Sequence, residues 1–328
     1  MNTRKSSKGW LTSLVMLGLV LVGWLQRNTI YDWLRLHNYQ PTSQVVQLTN
    51  QTTMTDYARH MFYVNHPAVQ DKSNFNQNCP NNGGEQTIVL GCYQQHETGI
   101  FLYSVTDPKL NGVEQVTAAH EDLHAIYERL SSKDRTYVDG LLEDFYQHDL
   151  KDQRLLDTIA AYKKTEPNDV VNEMHSVFGT EVMNLPPALE TYYQKYFTNR
   201  QQIVNYAQQY QQTFTNNQAK AAEYLSQIRS TEQELSSLKI QIDDSENSLK
   251  SQSQSLESER STVTNTQSFN ARVDAYNVGV EAYKKLIATY NQLVAQHNQL
   301  VAQYQAIAVE TNQLTQELNS RSAAVSTQ

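Results

Sequence analysis

The chain has 328 residues and a formal net charge of −8, with a pI near 5.6. That balance argues against a nucleic-acid surface, and the sequence holds no phosphate-cradling Gly-rich loop or dinucleotide fingerprint. Charged residues are 18 % of the chain, below the usual quarter, and Gln, Asn, Ser and Thr take their place around one globular core.

Residues 9–26 carry no charge and lie between Lys8 and Arg27. At about 1.5 Å of rise per residue such a helix just reaches across the hydrocarbon core of a bilayer. Trp10 and Trp24 bracket it as interfacial anchors would. Arg4, Lys5 and Lys8 precede it, whereas Arg27, Asp32 and Arg35 follow. The positive bias places the N-terminus in the cytoplasm and everything after the span outside, giving a single-pass protein of the cell membrane. Gly23-Trp-Leu-Gln-Arg27 is a poor cleavage site, so the expectation is an uncleaved anchor (residues 1–26) rather than a signal peptide. Residues 27–50 read as a juxtamembrane linker.

Export fits the two cysteines. Cys79 and Cys92 flank the loop-like Asn81-Asn-Gly-Gly84. A disulfide between them would close a short loop and contribute about 3 kcal/mol. Two unpaired thiols are the alternative. Thr87–Tyr93 and Gly99–Val105 are β-branched and aromatic, and polar residues 94–98 separate them like a hairpin loop. His66 and His96 read as surface residues.

After Asn111-Gly112, residues Val113–Leu130 run without Gly or Pro. A helix is expected there, with Val116, Leu123, Ile126, Tyr127 and Leu130 turned to the core. Within it, His120-Glu-Asp-Leu-His124 is His-Glu-x-x-His. Residues four apart share a helix face, so both imidazoles can close on one metal ion, with Glu121 reaching the water beside it. A hydrolytic zinc site needs a third protein ligand from another element.

Downstream, Val171-Asn-Glu-Met-His-Ser176 contains Asn-Glu-x-x-Ser. With the two motifs in this order the chain resembles the gluzincin metallopeptidases. The resemblance implies a zincin-like fold with a short antiparallel sheet before the active-site helices, and one zinc ion per chain. It implies His120, His124 and Glu173 as ligands, Glu121 as general base and a peptide or protein as substrate. The chain departs from the group in two respects: 49 positions separate residues 124 and 173, and Val177 stands where an acid often follows the Ser. Two neighbours compete as third ligand: Glu181, which follows Gly179, and His175, which a helix would turn away from Glu173. The donor for a developing oxyanion falls among His175, Tyr192, Tyr193 and Tyr196.

From Ala188 onward there is no Pro, and the one Gly is Gly279. Leu286, Leu293, Leu300, Ile307 and Leu314 recur every seven residues, a coiled-coil signal. Tyr224, Ile228, Leu235, Leu238, Ile242, Leu249 and Leu256 offer a partner run, weakened by polar seam positions at Thr231, Ser245 and Gln252. Residues 261–270 suit a turn between the two runs. The expectation is a helical hairpin, with a parallel homodimer or a coiled-coil partner as the alternative, and with chemistry improbable there.

The fold class read from the sequence is therefore α+β. A zincin-like domain (51–197) follows the membrane helix and linker, and a coiled-coil arm (198–328) ends the chain. The functional expectation is a membrane-anchored zinc metallopeptidase facing outwards. The alternative is a cell-envelope coiled-coil scaffold carrying an inactive zincin-like domain, and a weaker third reading is a metal-binding sensor.

Overall fold

Local capping chemistry sets many of the element boundaries in the computed structural model, which describes residues 8–80, 89–94 and 98–321. Arg4, Lys5, His96 and the loop residues 81–88 lie outside the described residues. Helices α1 (Lys8–Leu25) and α2 (Arg27–Leu36) open the chain. The Thr42 hydroxyl accepts the Val45 N–H to start α3 (Ser43–Gln51), and Thr55 accepts from Ala58 to start α4 (Asp56–Val64). Asp71 caps α5 (Lys72–Asn78) in the same way. Gly112, at φ +107°, turns the chain into α6 (Val113–Arg129). A Cβ there would stand 2.6 Å from the Tyr206 carbonyl oxygen, so position 112 requires glycine on two counts.

Next come α7 (Ser132–Asp144), which continues into a π turn over Phe145–Asp149, then α8 (Gln153–Thr165), α9 (Val170–Glu181) and α10 (Pro187–Tyr193). Two long helices, α11 (Arg200–Glu259) and α12 (Thr266–Leu318), complete the chain. The protein is thus mostly helical, with one small sheet and a long C-terminal hairpin.

That sheet has three strands in the order β1 (Ala68–Gln70), β3 (Gly99–Tyr103), β2 (Gly91–Gln94). The pair β2–β3 is antiparallel, with Cys92 opposite Phe101. The pair β1–β3 is parallel, with Val69 opposite Leu102. The sheet is mixed rather than antiparallel, because the three-residue β1 pairs with the far edge of β3 after the chain has passed through α5 and β2. Cys79 and Cys92 form a disulfide that ties the end of α5 to β2.

The described residues form two compact units. One runs to Gln212 and takes in the chain again from Leu314; the other is Thr213–Gln313. In the first, Leu123 and Ile126 of α6 pack with Phe62, Ile100, Phe178 and Tyr193 in one core, all completely buried. Each such side chain contributes about 1.5–3 kcal/mol. Residues 27–50 are not a linker: Val45 and Leu48 of α3 belong to this core, and α2 is hydrogen-bonded to the domain. The last turn of α12 also belongs to it, with Leu314, Leu318 and Ser320 buried and the Ser320 hydroxyl donating to the Val89 carbonyl at 2.6 Å.

In the second unit the two long helices fold back on each other within one chain. Asn217 donates to Glu310 and Thr311, Gly279 lies against Leu249, and Arg272 pairs with Glu259 beside the turn. The hairpin, rather than a parallel dimer, accounts for these contacts.

Among the described residues no single helix is long and apolar enough to cross a membrane. Ser13–Leu25 and Arg27–Leu36 pass that test together, as a pair bent by 63°.

Candidate metal centre

Helix α6 presents His120, Glu121 and His124 to a cleft of about 850 Å³. The imidazole rings of His120 and His124 lie 4.8 Å apart, one turn above the other. Strand β2 runs directly across this face. A Cβ on Gly91 would fall 2.6 Å from Glu121 Oε1 and 2.5 Å from Thr117 Cγ2, so only glycine admits the strand so close to the helix. Glu121 is thereby held in a buried position that still lines the cleft.

Helix α9 supplies the third group. Gly179 lets α9 approach α6 closely, since a Cβ there would stand 2.5 Å from Leu123 Cδ1 and 2.8 Å from the Tyr193 ring. Just past the end of α9, Arg200 donates to the Val182 and Met183 oxygens and pairs with Glu190 at 2.6 Å. On this rigid pair, Glu173 Oε2 lies 3.7 Å from His120 Nε2, and Oε1 lies 3.6 Å from His124 Nε2.

These separations are too long for hydrogen bonds. They approach the roughly 3.4 Å between ligand atoms sharing one tetrahedral ion at about 2.0–2.1 Å. Glu173 Oε2 is also buried without a hydrogen-bond donor, an arrangement a cation would complete. Two imidazoles and one carboxylate are a donor set that suits zinc. Burial pushes the Glu173 carboxyl up, but His124, His120 and a Tyr162 hydrogen bond outweigh it and hold its pKa below the usual value. The residues present therefore fit a zinc ion.

Other expected residues are placed elsewhere. His175 is completely buried, its Nε2 is 2.8 Å from the Tyr192 hydroxyl, and it does not line the cleft. It lies outside the ligand group, because the helical turn that aims Glu173 at the histidines aims His175 into the core. Burial, then the neighbouring His124 and His120, pushes its pKa down to about 3. Tyr192, Tyr193 and Tyr196 are likewise buried off the cleft, with the Tyr193 hydroxyl donating to the His175 carbonyl at 2.7 Å. Glu181 lines the cleft but is paired with Arg154 at 2.6 Å and lies outside the ligand group. Gly179, beside it, does not break α9.

Several residues around the site were not anticipated. Tyr93, Tyr127, Tyr162 and Tyr210 are the tyrosines that line the cleft. Glu166 and Asp169 bring carboxylate oxygens within 4.8 Å of Glu173. Asp169 was detectable in principle, standing one helical turn before Glu173. Arg321, from the segment after α12, lines the cleft and donates to the Cys79 carbonyl beside the disulfide. His66 is no free surface residue either, since its Nε2 meets the Arg35 carbonyl at 2.8 Å.

No family model, curated protein or solved structure matches this chain. The functional reading therefore rests on the geometry of the centre itself.

Proposed function

We propose that the chain is a membrane-anchored zinc metallopeptidase. The observation that carries this reading is the convergence of His120, His124 and Glu173 in a cleft that Glu121 also lines. Bound there, zinc would supply Lewis acidity to an attacking water and to the scissile carbonyl.

The remaining steps belong to the protein. The Glu121 carboxylate takes the proton of the attacking water and delivers it to the leaving nitrogen. Among the described residues strand β2 is bonded to β3 along one edge only, and its residues line the cleft. An extended peptide adding to the other edge would run across α6 beside Glu121, held by main-chain hydrogen bonds. The membrane attachment rests on the uncharged stretch within α1 and on the broad exposure of its side chains from Leu14 to Leu25.

The test is metal content together with peptide hydrolysis, measured on wild type and Glu121→Gln. We expect one zinc per chain in both and a 10²–10⁴-fold loss of turnover in the variant, roughly the contribution of a general base. His120→Ala is expected to lose the zinc. Zinc in both proteins with no hydrolysis by wild type would favour a scaffold carrying an inactive domain. Equal turnover in both would remove Glu121 from the mechanism.

A further inference from the structure

Helix α2 is amphipathic in the opposite sense to a surface helix of a soluble domain. Two of its charged residues, Asp32 and Arg35, face the domain, while Arg27, Asn28 and Thr29 in its first turn are exposed. Asp32 receives His60 at 2.9 Å and pairs with Arg129, while Arg35 Nε donates to the Val64 carbonyl at 3.0 Å. Three of its large apolar residues face outward, with Ile30 at 48 %, Trp33 at 60 % and Leu34 at 62 % exposure. These three are spaced i, i+3, i+4 and form one stripe.

One residue, Gln26, separates α2 from α1, whose Trp24 and Leu25 are 61 % and 64 % exposed. The Arg27 guanidinium sits 5.6 Å from the Trp24 ring, a pairing of cation and aromatic suited to the headgroup level. The 63° bend turns α2 away from the direction of α1. When α1 is inserted, a helix so turned lies across the boundary rather than through it.

We infer that the Ile30–Trp33–Leu34 face of α2 docks into the headgroup–acyl boundary of a lipid bilayer. Continuity with α1 selects lipid over a protein partner, since the surface that covers an uncharged helix on all sides also meets the stripe beside it. The docking has a consequence for the metal centre. Asp32 grips Arg129 in the last turn of α6, five residues beyond His124 and about 7.5 Å along the helix axis. The helix that carries His120, Glu121 and His124 is thereby fixed relative to the bilayer surface. This inference rests on the membrane attachment in the proposed function and is independent of the hydrolytic chemistry.

The chain has three tryptophans, Trp10, Trp24 and Trp33, so fluorescence can report each position. The full chain is reconstituted in phosphatidylcholine–phosphatidylglycerol vesicles whose acyl chains carry bromine either near the headgroups or near the bilayer centre. In W10F/W24F, Trp33 is expected to be quenched several-fold more by the shallow bromines than by the deep ones. Adding Ile30→Asn and Leu34→Asn should remove most of that quenching. In W10F/W33F, Trp24 reports the anchor alone. Quenching of Trp24 without quenching of Trp33 would overturn the docking of α2 and leave the anchor standing, whether water or a second copy covers the stripe. Preferential quenching of Trp33 by the deep bromines would overturn it too, by making α2 part of a span. Absence of quenching at both positions would remove the membrane attachment itself.

Discussion

The pair α6–α9 and the pair α11–α12 are both helices packed side by side, yet they are built on opposite principles. In the first, small residues bring backbones together. Ala118, Ala119, Ser176 and Gly179 are buried, and Leu123 lies so close to Gly179 that a Cβ there would stand 2.5 Å from it. In the second, residues 213–313 bury just Asn217, Ile228, Thr231 and Leu300, and the remaining seam positions are half-covered. Two of those four are polar. The first pair has its relative placement over-determined, so it can hold two imidazoles and a carboxylate to within a few tenths of an ångström. The second carries an Asn in its seam, and Asn217, bonded to Glu310 and Thr311, favours one register.

The largest test of this contrast is acid stability. His175 lies in the packed pair and stays neutral, with its pKa pushed from the ordinary 6.5 to about 3, chiefly by burial. Between pH 6.5 and about 3 the unfolded chain therefore binds a proton that the folded chain does not. Stability is fully present above 6.5 and falls as the pH drops through that window, by on the order of 5 kcal/mol over its whole width. Urea unfolding of the zinc-free protein, followed by near-ultraviolet ellipticity in detergent, measures the slope. In His175→Leu the slope should flatten. An unchanged slope would mean that other groups govern acid unfolding.

A smaller effect is expected at the contact itself. Gly179→Ala pushes a Cβ into Leu123 and Tyr193, both completely buried with nowhere to retreat. Overpacking of this kind costs about 1–3 kcal/mol. It also displaces Glu173, two turns earlier on α9, so zinc retention during dialysis should weaken along with thermal stability. Retention equal to wild type would show that the close approach does not set the ligand geometry.

What the sequence made legible follows from the range of the interactions involved. Helical spacing placed His120 and His124 on one face, and the short motif at Asn172-Glu173 pointed to the residue that meets them. The seven-residue recurrence from Leu286 to Leu314 announced the hairpin. Non-local contacts left no comparable trace. Strand β1 is three residues long, and its parallel pairing with β3 has no local signal. Residues 27–50 read as a linker, although Val45 and Leu48, three apart, enter the core. Spacing could turn His175 away from Glu173, but not say that Tyr192 and Tyr193 would enclose it. With 20 tyrosines in the chain, choosing those of the cleft required the fold.

The smallest effect is expected from the matching substitution in the hairpin, and its sign is the informative part. Gly279 lies inside α12, where Gly costs about 1 kcal/mol relative to Ala through backbone entropy. A Cβ there would meet one atom within 4 Å, Leu249 Cδ2 at 3.0 Å, the end of a flexible side chain on a partly exposed residue. Leu249 can yield by a few tenths of an ångström, so the gain in helix propensity should prevail. Gly279→Ala is expected to slow amide exchange in the neighbouring turns of α11 and α12 by up to about fivefold, equivalent to about 1 kcal/mol. Faster exchange would mean that Leu249 is held as firmly as Leu123 is against Gly179. The loose hairpin and the tight pair would then differ in composition alone and not in packing.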